Sequence, residues 1–585
     1  TEVHGHAPFK WQYRLLACVL EQGWNFPIGL PTASGKTAVL DVAVFALALQ
    51  AQNKERKTPR RIALVVDRRI VVDDAFERAK RIKTALQNKK DKHGQSSTLL
   101  AIMHDALMTL GGEIPLDCAA LRGGIYREDR WARTPLQPVI LCSTVDQVGS
   151  RLLHRGYGLS NFTWPIHAGL LGHDSLIVLD EAHCSQPFLQ TLEAIARFRT
   201  CAVERVPGPW AFVPMTATPR GDIKPFQLTD EERAESLIAK RLNASKKAWL
   251  LVAKDKSDKG FADVAFEQLQ SSELVLTGRG QTTLVVCNRV KAARLLHDKL
   301  MMASTVSGKK AFPCIPILLT GRSRSIERDV ILKEYRDRLM AGREREKYTD
   351  ALPFIIVATQ CVEVGADLDV DVLITEACPI DSLRQRFGRL DRLGERANSS
   401  ALILCRPEYV GIASKRELPK EVDPVYGDSL PYTWWWLNAN ATEGIIDCGV
   451  AALDQLLSDN PPQVQLAAPA TNAPLIFPAY CDLWVQTGPI PAVSPDPAVF
   501  LHGPQSGPPD VGIVWRADLD PDQPETWIDT IAACPPVSAE VLALPFHAAR
   551  AWLAGNEADP GTDQEGEPQS IKELEAKNQR QALRW

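Results

Sequence analysis

The 585-residue sequence contains no Cys-x-x-Cys pair, and its 13 cysteines stand singly between Cys18 and Cys534. That spacing speaks against a zinc ribbon, an iron–sulfur cluster or a disulfide framework, and predicts reduced, mostly buried thiols. Long apolar runs are missing too. Stretches such as DVAVFALALQ at 41–50 fall well short of the roughly 20 residues needed to cross a bilayer. The N-terminal TEVHGHAPFKWQYRLL has no basic patch, apolar core and small-residue cleavage site in series, so no secretory signal is expected. These absences predict a cytoplasmic protein without a membrane span.

A large excess of one charge is absent as well: 71 acidic side chains face 67 basic ones, a net −4, within 45% apolar and 24% charged residues. This is ordinary globular composition, and it argues against a wholly disordered, collagen-like or coiled-coil chain. The total conceals an asymmetry. Residues 411–585 hold 9 basic and 24 acidic side chains, whereas residues 1–410 hold 58 and 47, and 22 of the 41 prolines lie after residue 410. The first part suits a polyanionic partner and the last part does not. A boundary is expected near residue 410.

Short apolar runs recur, each ending in a polar or glycine-containing segment: RIALVVD (61–67), PVILCST (138–144), SLIVLDEAH (175–183), AFVPMTATP (211–219), TTLVVCN (282–288), PFIIVATQ (353–360) and DVLITEA (371–377). Buried parallel strands look like this, and amphipathic stretches such as RVKAARLLHDKLM (289–301) read as crossover helices. The expected fold class is α/β, with two tandem doubly wound parallel-sheet domains of the RecA-like kind and an acidic, proline-rich C-terminal accessory region. The expected divisions are a first domain at 1–225, a charged, helix-prone linker at 226–260, a second domain at 261–410, and an accessory domain with a linker at 411–585. Ligands of such sheets bind at the carboxyl ends of the strands, so a cleft between the two domains would gather motifs from both.

GLPTASGKTAVLDVAVFAL (29–47) places Gly-Lys-Thr at the start of an apolar helical stretch. A phosphate site needs backbone N–H groups at a helix N-terminus, a lysine on the outer phosphates and a hydroxyl on magnesium. Ser34 and Gly35 form the turn, and Lys36 and Thr37 fit the last two roles; Leu30 and Ala33 stand where glycines are common. Asp180 and Glu181 end the strand-like SLIVLDEAH, where an aspartate can hold Mg²⁺ and its neighbour can orient or deprotonate the attacking water. In DSLRQRFGRLDRLG (381–394), Gln385, Arg386, Arg389 and Arg392 are spaced along one helical segment. Arg389 and Arg392, at i and i+3, can share a face and reach charge developing on a transferred phosphoryl group.

With these elements in order over about residues 9–410, the sequence resembles the superfamily-two helicases and translocases. LPTASGKT is similar to motif I, DEAH to motif II, MTATP to motif III, ATQCVEVGADLD (358–369) to motif V and QRFGRLDR to motif VI. The resemblance implies that Gln12 in FKWQYRLL reads adenine, that Gly365 and Asp367 share in binding the nucleotide, and that Thr216 and Thr218 couple it to nucleic acid. It also implies that Arg68, Arg69, Ser143, Thr144, Asn288, Arg289 and Thr359 hold the phosphates of one strand, a contact that reads no sequence.

VATQCVEVGADLDVDVLITEACPIDSLRQRFGRLDRLG resembles the helicase of type I CRISPR systems, the Cas-three family, and the acidic region resembles its subtype G branch. The implied function is an ATP- and Mg²⁺-dependent single-stranded DNA translocase, recruited to displaced DNA by an RNA-guided surveillance complex and coupled to an HD nuclease. The His-Asp pairs His104-Asp105, His173-Asp174 and His297-Asp298 all fall within the motor domains, and residues 411–585 contain only His502 and His547. The nuclease is therefore expected outside these residues, in a longer form of the protein. An RNA helicase of the DEAH kind and a non-catalytic ATP-gated clamp remain as alternatives. Trp434-Trp435-Trp436 is expected to fill a core.

Overall fold

The computed structural model describes residues 1–32, 34–66, 69–121, 129–204, 208–216, 223–271, 280–305, 311–363, 368–396, 399–412, 417, 423, 425–504, 510–520, 522–537 and 539–554, without the side chains of 69–71 and 547. Arg68, Thr218, Gly365 and Asp367, all expected site residues, lie outside them, as does Ala33. The chain forms two compact units, one of Thr1–Ala239 with Ala470–Gln505, the other of Lys240–Pro469 with Ser506–Trp585. The acidic C-terminal region is thus divided between both units.

The first unit is built on a parallel sheet of β1 (Arg61–Val66), β2 (Asp117–Leu121), β3 (Val139–Thr144), β4 (Ser175–Leu179) and β5 (Ala211–Pro214), in the order β2-β3-β1-β4-β5. Every residue of β1, β3 and β4 is buried, which is why these strands read as continuous apolar runs rather than alternating ones. Register aligns their ends: Val66 faces Thr144, and Val65 faces Leu179. Beside β5, Ile28 bridges Met215 and Phe226 in parallel, with its N–H on Pro214 O (2.9 Å) and its carbonyl receiving Thr216 N–H (3.0 Å). The glycine-lysine-threonine loop therefore leaves the sheet at the same carboxyl edge as the other motifs. The core gathers Val65, Leu141, Ile177 and Phe188 with Trp484, Phe500 and Leu501 from the returning segment.

The second unit carries β6 (Lys246–Val252), β7 (Thr282–Val286), β8 (Ile315–Leu319), β9 (Phe354–Ala358), β10 (Val372–Glu376), β11 (Ser399–Cys405) and β12 (Ile445–Asp447), in the order β12-β6-β11-β10-β7-β9-β8. Among the described residues of this seven-stranded sheet, β12 alone runs antiparallel, to β6. Part of the expected linker is thus a strand: KKAWLLV pairs with β11 along its whole length, and the helical turns of the segment break off at Leu242 and resume at Asp258. Trp434 and Trp436, on helix Ser429–Asn440, are buried as core residues, and Trp436 Nε1 donates to Asn460 O (3.0 Å). Among the described residues no helix is long and apolar enough to cross a membrane.

Helix Trp164–Gly172 buries His167 edge-on against Trp131, with ring centroids 5.2 Å apart. Burial, aided by the Arg151 cation, pushes this imidazole down to about 4. The unfolded chain takes up its proton near pH 6.5 and the folded one does not, so stability present above that pH is lost as pH falls toward 4. Denaturant unfolding of the first unit followed from pH 6.5 to 4 should show that loss shrinking by about 3 kcal/mol in His167→Leu; equal pH slopes in the two proteins would refute the assignment.

Candidate active site

The loop before helix Val39–Leu49 turns on Gly35, at φ 80°, ψ 35°. A side chain is strained there, and Gly35 faces open space except for the Phe9 ring edge, 3.6 Å from where a Cβ would stand. Ser34 is buried and spends its hydroxyl on Pro31 O (2.8 Å). Lys36, Thr37 and Ala38 form the first 3₁₀ turn. Gln12 sits half-buried in helix Lys10–Gln22, three residues after Phe9. That helix is tied to the end of the unit's sheet region by Arg14, which grips Glu232 with two nitrogens at 2.7 Å and stacks on Phe226.

Opposite the loop, β4 leads directly into Asp180 and Glu181. Asp180 N–H donates to Val65 O (2.9 Å), which fixes the strand tip beside β1. Glu181 adopts φ 46°, ψ 50°, a left-handed conformation costing a non-glycine residue about 1–2 kcal/mol. Its neighbours hold it there: Ala182 N–H donates to Met215 O (3.0 Å), Cys184 N–H to Glu181 O (2.8 Å), and Glu181 N–H to Asp180 Oδ1 (3.0 Å). The result aims the buried carboxylate at Lys36, whose Nζ donates to Glu181 Oε1 at 2.8 Å. His183 lies 3.5 Å from the other carboxylate oxygen and 3.2 Å from Thr216 Oγ1. Lys36, Asp180, Glu181 and Thr216 are thus brought together, and His183, a connecting residue the sequence reading left without a role, joins Glu181 to Thr216.

In the second unit, helix Ile380–Phe387 carries Gln385 and Arg386, both buried. It stops before Arg389 and Arg392, which lie in the turns beyond Gly388. The expectation of one helical segment for all four, with Arg389 and Arg392 on one face of it, is corrected: the helix ends where Lys246 Nζ caps Phe387 O (2.8 Å), a cation on terminal carbonyls as the helix dipole favours. Burial pushes the Lys246 ammonium down to about 8. Arg389 turns back, donating to Val362 O (3.2 Å) and Glu363 O (2.6 Å). Arg392 is half-buried, its N–H on Asp369 Oδ1 (2.9 Å).

Arg386 is fully buried and binds Glu363 Oε1 (2.7 Å), Thr375 Oγ1 (2.7 Å), Glu376 O (3.0 Å) and Asn288 Oδ1 (2.9 Å). Asn288 in turn donates to Ala377 O and accepts from Gln360 Nε2, and its N–H meets Glu376 Oε2 at 2.7 Å. Glu363 is the residue that sequence reasoning missed, although it stands inside the segment read as motif V. Thr359 is buried at the end of β9, its N–H on Leu319 O (3.1 Å), and half-exposed Arg289 lies 3.6 Å from Asp258. Ser143 and Thr144 occupy the matching place at the end of β3; Ser143 is buried with its hydroxyl on the carbonyls of Leu121 and Thr144. Arg69 opens helix Arg69–Asn88.

Residues 279–395, which span β7 to the turn bearing Arg392, match the family described as CRISPR-associated nuclease/helicase Cas3, C-terminal. A Methanocaldococcus jannaschii protein named as a CRISPR-associated nuclease/helicase Cas3 is 32% identical over 117 residues, 20% of this chain and 14% of that protein. Over this segment the chain is similar to Cas3 proteins. The CRISPR-associated endonuclease/helicase Cas3 of Escherichia coli is 60% identical over 38 residues, 6% of this chain and 4% of that one. In fold, the chain is like the crystal structure of T. fusca Cas3-ATP, with a TM-score of 0.55 at 16% identity over 93% of this chain and 65% of the other. It therefore spans less than two thirds of each of these Cas3 relatives.

Arg386→Leu would leave the Glu363 carboxylate buried without its cation, a loss of about 3–5 kcal/mol. Urea unfolding of the second unit should register that loss, and a change below 1 kcal/mol would mean that the carboxylate has another partner.

Proposed function

We propose that this chain is an ATP-driven single-stranded DNA translocase and helicase of a type I CRISPR system. In this reading an RNA-guided surveillance complex recruits it to displaced DNA, and an HD nuclease domain outside these residues degrades what it unwinds. The observation that carries the proposal is the 2.8 Å pair between Lys36 and Glu181. A phosphate-binding lysine and a carboxylate able to take a proton from water face one another, each buried and each fixed by its own loop. The pair is a resting arrangement. Nucleotide phosphates compete for Lys36 as anions, and winning it releases the Glu181 carboxylate toward water.

Gly35 leaves the room the phosphates need, and Ser34, through Pro31, fixes the turn. Gln12 reads the base beside Phe9. Thr37 and Asp180 would hold one Mg²⁺, which neutralises charge on the phosphates when bound. The arginines beyond helix Ile380–Phe387, Arg389 and Arg392, with Gln385, stabilise the charge that builds on the transferred phosphoryl group. Thr216, next to His183, relays the state of the Glu181 turn. Ser143, Thr144, Asn288, Arg289 and Thr359, at strand ends of the two sheets, take the phosphates of one DNA strand.

In Glu181→Gln, nucleotide binding should persist while turnover falls by a factor of about 10²–10⁴, the usual share of a general base; turnover within threefold of wild type would remove Glu181 from the mechanism. Steady-state hydrolysis at one fixed salt concentration should rise with single-stranded DNA and not with single-stranded RNA. Stimulation by RNA alone would replace this reading with that of an RNA helicase.

A further inference from the structure

The segment that returns to the first unit after residue 469 touches two helices that matter to the proposed reaction. Helix Val145–Leu152 begins immediately after Ser143 and Thr144. Helix Gln186–Thr200 begins five residues after Glu181. On the first helix, Gly149 packs so closely on Leu501 that a Cβ there would collide with Leu501 Cδ2, and Leu501 is itself 1% exposed. On the second, Thr191 Oγ1 donates to Phe500 O (2.6 Å), and Gln190 bonds Asn472 Oδ1 (2.8 Å) and Ala473 N–H (2.7 Å). Adjacent residues, Phe500 and Leu501, thus hold one helix each. The middle of the segment is pinned by Arg155, which donates to Trp484 O (2.7 Å), Leu483 O (3.1 Å) and Ser494 Oγ (3.1 Å), while Trp484 and Phe500 stack edge to face at 5.1 Å. The His502–Asp146 pair at 2.7 Å is partly exposed and contributes little by comparison.

We infer that residues 470–504 are a strap that ties the helix following the DNA-contact turn to the helix following the catalytic turn, so that Gly149, Leu501 and Thr191 are positioning residues for DNA-stimulated hydrolysis. The inference rests on the function proposed above. Packed, hydrogen-bonded connections between two sites can carry coupling of this kind, and the strap supplies one outside the sheet: a shift of the first helix displaces Leu501, and Phe500 passes it to Thr191. None of the three residues lies in the nucleotide or DNA contacts.

Three variants test it: Gly149→Ala, which collides with Leu501; Gly149→Ala with Leu501→Ala, which gives the added methyl room; and Thr191→Val, which keeps the shape and removes the hydrogen bond. Hydrolysis is measured with and without single-stranded DNA, and amide hydrogen exchange is read over 145–152 and 186–192. In Gly149→Ala and Thr191→Val the rate without DNA should stay within about twofold, and the stimulation by DNA should drop about five- to tenfold, the lower range of measured couplings between sites. The double variant should recover most of it. Each single variant should quicken exchange on both helices. Parallel loss of both rates, absence of rescue, or faster exchange confined to the mutated helix would overturn the strap. If wild type itself ignores DNA, the proposed function fails, and the exchange measurement still decides whether the two helices are tied.

Discussion

A parallel sheet covered on both faces leaves its polar chemistry one place to go, the ends of its strands. In β1, β3 and β4 no position is exposed, and the same holds for β7, β9 and β10. Register then does the positioning. Because Val65 is level with Leu179, Asp180 and Glu181 must emerge beside the end of β1, and because Ile28 lies against Met215, Lys36 follows on the same edge. The Lys36–Glu181 contact joins residues 145 positions apart in sequence. Sheet order brings them within reach, and loop flexibility is not needed to explain it.

Such burial has a cost that the second unit meets with charge pairing. Arg386 and Arg406 are among the largest fully buried side chains, and each is surrounded by acceptors: Arg406 takes Glu376 Oε1 (2.6 Å), Asp258 Oδ1 (2.8 Å) and Lys256 O (2.7 Å). A guanidinium in a fixed fork can satisfy several carbonyls and carboxylates at once. Buried this way, each cation ties together segments distant in the sequence, and the turn carrying Arg389 inherits its placement from Arg386 through Glu363. Lys246 performs a related task with a single contact at the end of the same helix.

All seven apolar runs read from the sequence are strands, because each is long, aliphatic and bounded by polar residues. β11, SSALILC, carries the same signature and was passed over; three other strands that escaped notice lack it. β2, DCAAL, is mostly small residues; β8, IPILL, contains a proline that an edge position tolerates; β6, KKAWLLV, alternates in burial at its start and follows a charged segment, so it read as part of a linker. The helix end after Phe387 was equally hidden, since QRFGRLDR keeps helical spacing and the signal that stops it is a lysine 141 residues away. The carboxylate of Glu363 was invisible for the same reason: its worth comes from Arg386, and the pairing is tertiary. Motif residues at strand ends were legible because their spacing is local.

The path of the chain carries a consequence for anyone who would cut it. It passes from one compact unit to the other after residues 239, 469 and 505, so neither unit is a continuous stretch. A fragment trimmed at the compositional break near residue 410 would keep every motif read from the sequence and still deprive the first unit of Trp484, Phe500 and Leu501, three members of its own core. Domain dissection of this protein must follow the packing, with residues 470–504 retained or supplied as a separate peptide.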